Sequence, residues 1–381
     1  MIVLVINTGS SSIKYEVFDM VADCRIGGGA IEGIGQGKIA DHRAGLRRLI
    51  DDLLNAENGM VADPAQISAV GHRVVHGGES LADPVVVDDA VEQKIEENVP
   101  LAPLHNPANL LGIRTAREMF PAVPQVAVFD TAFHRTMPPR AYLYALPYHL
   151  YEDLRLRRYG FHGTSHAYVT EQAARLMECP VSAVNLITLH LGNGASAAAV
   201  RAGQCIDTSM GMTPLEGLVM GTRCGDLDPS VPFFLGEQTG MTPADINALL
   251  NKESGLKGLC GEADMREVIA RRDGGDARAT AALEVYVYRL QKYIGAYTAA
   301  LGGVDGLVFT GGVGERSALI RQEILTGLEH IGLRLDTDRN AVASEQARFI
   351  HHDDGAVKIM VIPTDEERHI ARQVMNVLSS R

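Results

Sequence analysis

Two stretches far apart in the chain follow the same plan, an apolar run, a tight turn of small polar residues, and a second run. In the first, Met1 to Ile6 breaks into Asn7-Thr8-Gly9-Ser10-Ser11-Ser12 and resumes as Ile13 to Phe18. Ile2 to Ile6 is apolar at every position, as a strand covered on both faces would be, while Ile13, Tyr15 and Val17 alternate with more polar neighbours. In the second, Asn185 to Leu191 leads through Gly192-Asn193-Gly194 into Ala195 to Val200. Each predicts a β-hairpin, and their recurrence points to a fold of two related halves. Gly, Ser and Asn are also the ordinary residues of hairpin turns. The same turns offer backbone N–H groups and hydroxyls to an anion, with Lys14 just beyond the first.

A chain of 381 residues is too long for one compact core, so two domains are expected, with an interdomain cleft as the natural site. A formal net charge of -12 argues against nucleic-acid binding, so an anionic ligand would need locally placed Arg, Lys and backbone N–H groups. The five cysteines, Cys24, Cys179, Cys205, Cys224 and Cys260, form no C-x-x-C pair, which predicts reduced thiols in a cytoplasmic protein. The initial apolar run is too short for a membrane span, and no partner membrane is expected.

In order, the pattern predicts a third strand at Cys24 to Glu32 and a helix through Leu46, Leu49, Ile50, Leu53 and Leu54. A strand from Ile67 to Gly71 delivers His72-Arg73-Val74-Val75-His76-Gly77-Gly78 at its carboxyl end, where ligands of open α/β sheets bind. A helix from Ala108 to Met119 and a strand from Val123 to Phe129 precede Asp130-Thr131-Ala132-Phe133-His134. The Pro-rich piece through Pro138, Pro139 and Pro147 sets the boundary between domains 1–147 and 148–365, with a C-terminal helix, 366–381, able to pack back on the first. Arg157 to His166 is a site loop ahead of a helix from Ala167 to Met177. Thr208 to Pro229 reads as a long ordered loop, Ala277 to Leu301 as one long helix, and Gly311-Gly312-Val313-Gly314-Glu315 as a glycine turn before a helix from Ser317 to Gly327. Neither standard phosphate-loop pattern occurs.

Several motifs, in order, resemble those of the acetate kinases, within the superfamily that joins acetate and sugar kinases, actin and the heat-shock chaperones. They are Asn7-Thr8-Gly9-Ser10-Ser11-Ser12-Ile13-Lys14, His72 to Gly78, Phe129 to His134, Arg158 to His166, Gly221-Thr222-Arg223-Cys224-Gly225-Asp226, and Gly311 to Glu315. The sequence departs from the family's usual pattern at Arg316 and Asp365, where Asn is common, and in a shorter segment between Arg25 and Pro64. The resemblance implies an α/β protein of two ribonuclease H-like, actin-like domains, each a mixed sheet flanked by helices. It implies transfer of the ATP γ-phosphoryl group to acetate, giving acetyl phosphate and ADP.

By the same resemblance, Arg73 would hold the acceptor carboxylate and Arg223 the migrating phosphoryl group, since a guanidinium stays charged and grips two oxygens. His162 would donate a hydrogen bond in the transition state, while His105 and His166 read as structural. Asp130 matches the family's active-site acid, yet an ionised acceptor needs no general base, so its expected work is to orient Arg73 or Arg223. Val75, Leu104 and Pro214 would wall the acceptor's methyl group. Lys14, His190, Leu191, Gly192, Asn193 and Gly194 would meet the nucleotide phosphates, and Asp264, Met265, Arg266, Gly312, Val313, Gly314, Glu315 and Arg316 the rest of the nucleotide. Asn7 and Glu366 resemble the groups that hold Mg2+, with Mn2+ as the alternative, through its water shell. A homodimer is implied too. The competing readings are a propionate or butyrate kinase and, in another class, a nucleotide-switch module of the actin and chaperone type.

Overall fold

A computed structural model describes the chain apart from Gln36, Lys38, residues 56–58, Leu104 and Arg381. It divides into two compact units: Met1–Arg135 with Gly163–Ser165 and Asp365–Arg381, and Thr136–His162 with His166–Thr364.

The first unit holds strands β1 (Ile2–Thr8), β2 (Ser12–Asp19), β3 (Cys24–Glu32), β4 (Ile67–Val74), β5 (Val85–Val86) and β6 (Gln125–Phe129) in the order β3-β2-β1-β4-β6-β5. The second holds β7 (Asn185–Leu191), β8 (Ala195–Arg201), β9 (Gln204–Thr208), β10 (Gly306–Thr310), β11 (Arg348–Phe349) and β12 (Lys358–Val361) in the order β9-β8-β7-β10-β12-β11. Each sheet is three antiparallel strands, then two added in parallel, then a two-residue antiparallel edge. Position by position the two sheets are the same.

The unbroken apolar run of β1 is explained by what covers it. Leu4 and Ile6 pack with Leu46, Leu49 and Leu53 of the helix His42–Leu53, whereas Val3 and Val5 pack with Ile370, Ala371 and Val374 of the helix Glu366–Ser379. Alternate residues serve opposite faces, and both faces are dry.

Three expected boundaries move. β4 runs on to Val74, because parallel pairing with β6 continues through Arg73 opposite Val128, so Arg73 lies inside the ladder rather than after it. The helix after the Arg157–His166 loop starts at Gly163, earlier than Ala167, because Gly163 N–H is already engaged by the Asp130 carbonyl at 2.8 Å. The glycine turn is itself a helix, Gly311–Arg316, with a second helix, Ala318–Leu325, behind it. Gly311 opens it with φ at +74°, and a Cβ there would lie 2.8 Å from the Leu191 carbonyl oxygen. Among the described residues no helix is long and apolar enough to cross a membrane, and no cysteine forms a disulfide.

Inside the first sheet, buried His72 meets Gln125 at 2.7 Å, and burial pushes its imidazolium pKa down to about 4 from 6.5. Between those values the unfolded chain binds the proton and the native chain does not, so stability rises with pH across the window and is lost as pH falls. The contribution is on the order of 3 kcal/mol. His72→Gln, which keeps an amide partner for Gln125 and cannot titrate, should flatten the acid limb of the urea midpoint between pH 4 and 6.5.

Candidate active site

In the first unit, the β1–β2 turn closes with Gly9 N–H donating to Ser12 O at 2.8 Å, which sets Asn7 opposite Lys14. Asn7 is half-buried, and its amide has no hydrogen-bond partner among the described residues. Arg73, near the end of β4, donates from Nη2 to Asp130 Oδ2 at 2.8 Å and brings Nε to 3.9 Å from Glu366, which lies in the first turn of the C-terminal helix. Its buried Nε–H has no hydrogen-bond acceptor among the described residues, so the guanidinium keeps donor capacity in hand. Asp130 is buried at the start of the helix Gly163–Leu176, with Thr164 N–H 3.5 Å from Oδ1, a position that favours a carboxylate.

Burial raises the Glu366 carboxyl to about 7, Asp130 adds to the rise, and Arg73 and Lys14 oppose it. A cation beside it would restore the ionised form. An amide oxygen and a carboxylate with spare lone pairs are hard oxygen donors, which fit a Mg2+-type ion. The carboxylates close enough to share an ion directly are instead Glu16, Asp365 and Glu367, but Arg25 engages Glu16 and Arg368 engages Asp365.

Two residues missed from the sequence hold this strand end in place. Asn109 Oδ1 accepts from Val75 N–H at 3.0 Å and its Nδ2 donates to Thr8 O at 2.7 Å, while Asn106 Oδ1 accepts from His76 N–H at 3.1 Å. Both are buried on the helix Asn106–Met119, where an amide pair one turn apart on an otherwise apolar face was the available signal. Val75 is buried, and Leu104 lies outside the described residues.

In the second unit, the β7–β8 turn closes with Gly192 N–H to Gly194 O at 3.0 Å, and Asn193 O accepts from Gly221 N–H at 3.0 Å. His162 ends the preceding loop in a left-handed conformation, φ 57°, and stacks on His190 at 4.3 Å between ring centres. Arg223 Nη1 and His162 Nε2 both lie 3.5 Å from the point where a Cβ on Gly194 would sit. Arg223 donates to Pro214 O at 3.2 Å, and no carboxylate pairs with it among the described residues. Burial alone lowers its pKa, with no opposing charge. A half-buried guanidinium without a counter-charge is a place for an anion.

The two loops that carry these groups are tied to each other. Arg158 Nη1 donates to the carbonyls of Thr208, Ser209 and Met210 at 2.8, 3.1 and 3.1 Å, and Nη2 donates to Glu216 Oε1 at 2.5 Å. Glu216 also accepts from Tyr144 O–H at 2.5 Å. Further along, Asp226 accepts from Gly217 N–H and from Tyr293 O–H, each at 2.9 Å.

Beside the turn is a cavity of about 720 Å³, ample for a nucleotide. Gly192, Asn193, Asp264, Met265, Arg266, Gly312, Val313 and Arg316 line it, as expected of them. Gly314 and Leu191 are buried, outside its lining with His190. Glu315 turns inward instead, accepting from Gly311 N–H at 2.8 Å and Thr364 N–H at 3.1 Å, because a helix start needs its amides satisfied. The cavity adds Glu262, Ile269 and Tyr286, which the sequence reading passed over. Tyr286 sits on the buried stripe of the helix Ala277–Leu301, where an aromatic reads as core, yet its hydroxyl has no partner among the described residues. Asp264 caps the helix Met265–Asp273, and Arg266 holds its carboxyl down at about 2.

Two copies of one mixed sheet, with polar turns at their strand ends, define the two-domain kinase fold of the actin-like superfamily. The sequence profile of the acetokinase family matches residues 28–372. The chain is 52% identical to the acetate kinase of Syntrophobacter fumaroxidans over 99% of its own length and 97% of that protein's. It is 48% identical to that of Nitratidesulfovibrio vulgaris strain Hildenborough, each chain covered to 99%. The crystal structure of Porphyromonas gingivalis acetate kinase superposes with a TM-score of 0.95 at 42% identity, 99% of both chains covered. A Francisella tularensis propionate kinase superposes at 0.92 with 40% identity, again 99% of both. This chain therefore belongs to the acetokinase family and, with it, to the ATP-dependent kinases.

Arg321, the largest fully buried side chain among the described residues, ties down the helix whose Gly312, Val313 and Arg316 line the cavity. It donates to the carbonyls of Gly314 and Glu315 at 2.9 Å each and to Asn340 Oδ1 and O at 2.7 and 2.8 Å, closing the carbonyl end of the helix Gly311–Arg316. Arg321→Lys cannot serve these acceptors together. Denaturant unfolding should show a loss of about 3 kcal/mol, and steady-state kinetics should show a higher KM for ATP with the acceptor KM unchanged.

Proposed function

We propose that this chain transfers the γ-phosphoryl group of ATP to acetate, reversibly and by direct in-line displacement. The observation that carries the reading is Arg223: a guanidinium without a carboxylate, aimed with His162 at the Gly194 turn beside a nucleotide-sized cavity. Bringing a carboxylate onto a phosphate joins two anions and spreads charge over the equatorial oxygens, so the work is positioning and neutralisation. Arg223 takes the migrating group, and His162 donates to it. Arg73, with Nε–H and its remaining donors to offer, takes the acceptor carboxylate, while Asp130 orients Arg73. Lys14 and the turn at Gly192 to Gly194 meet the phosphates, and Asp264 to Arg266 with Gly312, Val313 and Arg316 frame the nucleoside. Asn7 and Glu366 would hold Mg2+ through its water shell, where the ion supplies neutralisation of the phosphate charge.

Propionate kinase is the second reading, favoured by the Francisella tularensis structure. Val75 and Pro214 are the acceptor wall in both cases. One methylene in such a pocket shifts selectivity by only ~1–3 kcal/mol. Homodimerisation is supported by the helix Val231–Thr239, which buries none of its residues and leaves Phe233 and Phe234 73% and 61% exposed. Its cysteines, which form no disulfide, suit the cytoplasm.

Trapping acyl phosphate with hydroxylamine across acetate, propionate and butyrate tests the assignment. The highest kcat/KM should fall on acetate, and ATP hydrolysis indifferent to any acid would point to a nucleotide switch instead. Arg223→Lys should lower kcat by roughly 10²-fold or more, with the KM for ATP little changed, while Arg73→Ala should act mainly on the KM for acetate.

A further inference from the structure

Behind His162 runs a hydrogen-bonded file of side chains that ends at the sheet. His162 Nδ1 lies 2.8 Å from Ser196 Oγ, Ser196 Oγ 2.7 Å from His166 Nε2, and His166 Nδ1 2.7 Å from Thr188 Oγ1. Ser196, His166 and Thr188 are each 0% exposed. Two strands and a helix supply the members: Thr188 from β7, Ser196 from β8, and His162 and His166 one turn apart, with His166 N–H donating to His162 O at 2.9 Å.

Hydrogen counting leaves two ways to fill this file with both imidazoles neutral. Ser196 has one hydroxyl hydrogen and faces two ring nitrogens, so one histidine must donate to it and the other must accept from it. If His162 Nδ1 donates, the protons run inward: Ser196 donates to His166 Nε2 and His166 Nδ1 donates to Thr188. The Thr188 hydroxyl hydrogen then has nowhere to go, since Thr188 Oγ1 has no other partner among the described residues. In the opposite sense Thr188 donates to His166 Nδ1, His166 Nε2 donates to Ser196, and Ser196 donates to His162 Nδ1. Every hydrogen of the three fully buried members is then used, and the donor left over is His162 Nε2–H at the half-buried end of the file, a cheaper place for it than a dry interior.

We propose that Thr188, His166 and Ser196 fix the tautomer of His162, holding its proton on Nε2, the nitrogen that faces Gly194 and Arg223. His166 and Ser196 are thus positioning residues, and stacking on His190 holds the ring plane. Reversing the file would turn a lone pair toward an incoming phosphoryl oxygen. The consequence for catalysis rests on the reading of His162 as the donor to that group, but the tautomer itself does not.

The test is a long-range 1H–15N correlation spectrum of the full chain labelled with 15N-histidine, the His162 signals being assigned by their loss in His162→Gln. A proton on Nε2 supports the proposal, and one on Nδ1 overturns it whatever the variants do. Ser196→Ala should leave His162 as a tautomer mixture and lower kcat roughly 10- to 100-fold, the usual cost of losing an outer partner, with both KM values within about twofold. Ser196→Thr, which keeps the hydroxyl, should restore the single tautomer and the rate. An unmixed Nε2 tautomer with undiminished kcat in Ser196→Ala would overturn the proposal. Full activity in His162→Gln would remove only the phosphoryl-donor reading, because the tautomer is read without turnover.

Discussion

The second unit depends on how arginines are spent inside it. A buried guanidinium must have its donors used, and main-chain carbonyls in irregular backbone must have theirs filled. Arg158 and Arg321 solve both needs together, one gathering three successive carbonyls of the loop after β9, the other closing the short helix Gly311–Arg316. Arg289 does the same for the carbonyls of Gly217 and Asp226. Each is a strut. Arg223, on the loop that Arg158 and Arg289 brace, gives one bond to a carbonyl oxygen among the described residues, and in the first unit Arg73 keeps its Nε–H unspent. What separates Arg73 and Arg223 from these three struts is the number of donors the fold has already consumed.

The repeated sheet explains where the working groups sit. In both units the parallel strands flanking the hairpin run the same way as its first strand, so their carboxyl ends gather at one edge. Arg73 and Asp130 come from the ends of β4 and β6, and the helix Gly311–Arg316 from the end of β10. Strand ends are where backbone donors and acceptors are released from the ladder, and so where turns can bind ligands.

The hairpins, the strand ends and the long helix Ala277–Leu301 were legible in the sequence because each rests on local periodicity. Of the cavity's lining, Gly192, Gly312, Asp264, Met265 and Arg266 were singled out in the sequence. Glu315 was misplaced, because a carboxylate after glycines looks like a ligand group until the amides of Gly311 and Thr364 are known to need it. Asn109 was invisible for another reason: its partner Thr8 is 101 residues away. Buried Arg321 gave no signal at all, since a lone Arg in a helical pattern reads as solvated. Polar groups satisfied by distant backbone are what periodicity cannot report.

The helix Glu366–Ser379 supplies one face of a sheet whose first strand begins at Ile2. On a ribosome adding roughly 5–20 residues per second, the strands that helix must cover wait many seconds for their lid. Val3, Val5, Ala69, Val126 and Val128 stay bare meanwhile, as a sticky greasy plate. The unit whose strands are made first is therefore completed only once the helix Glu366–Ser379 has been made.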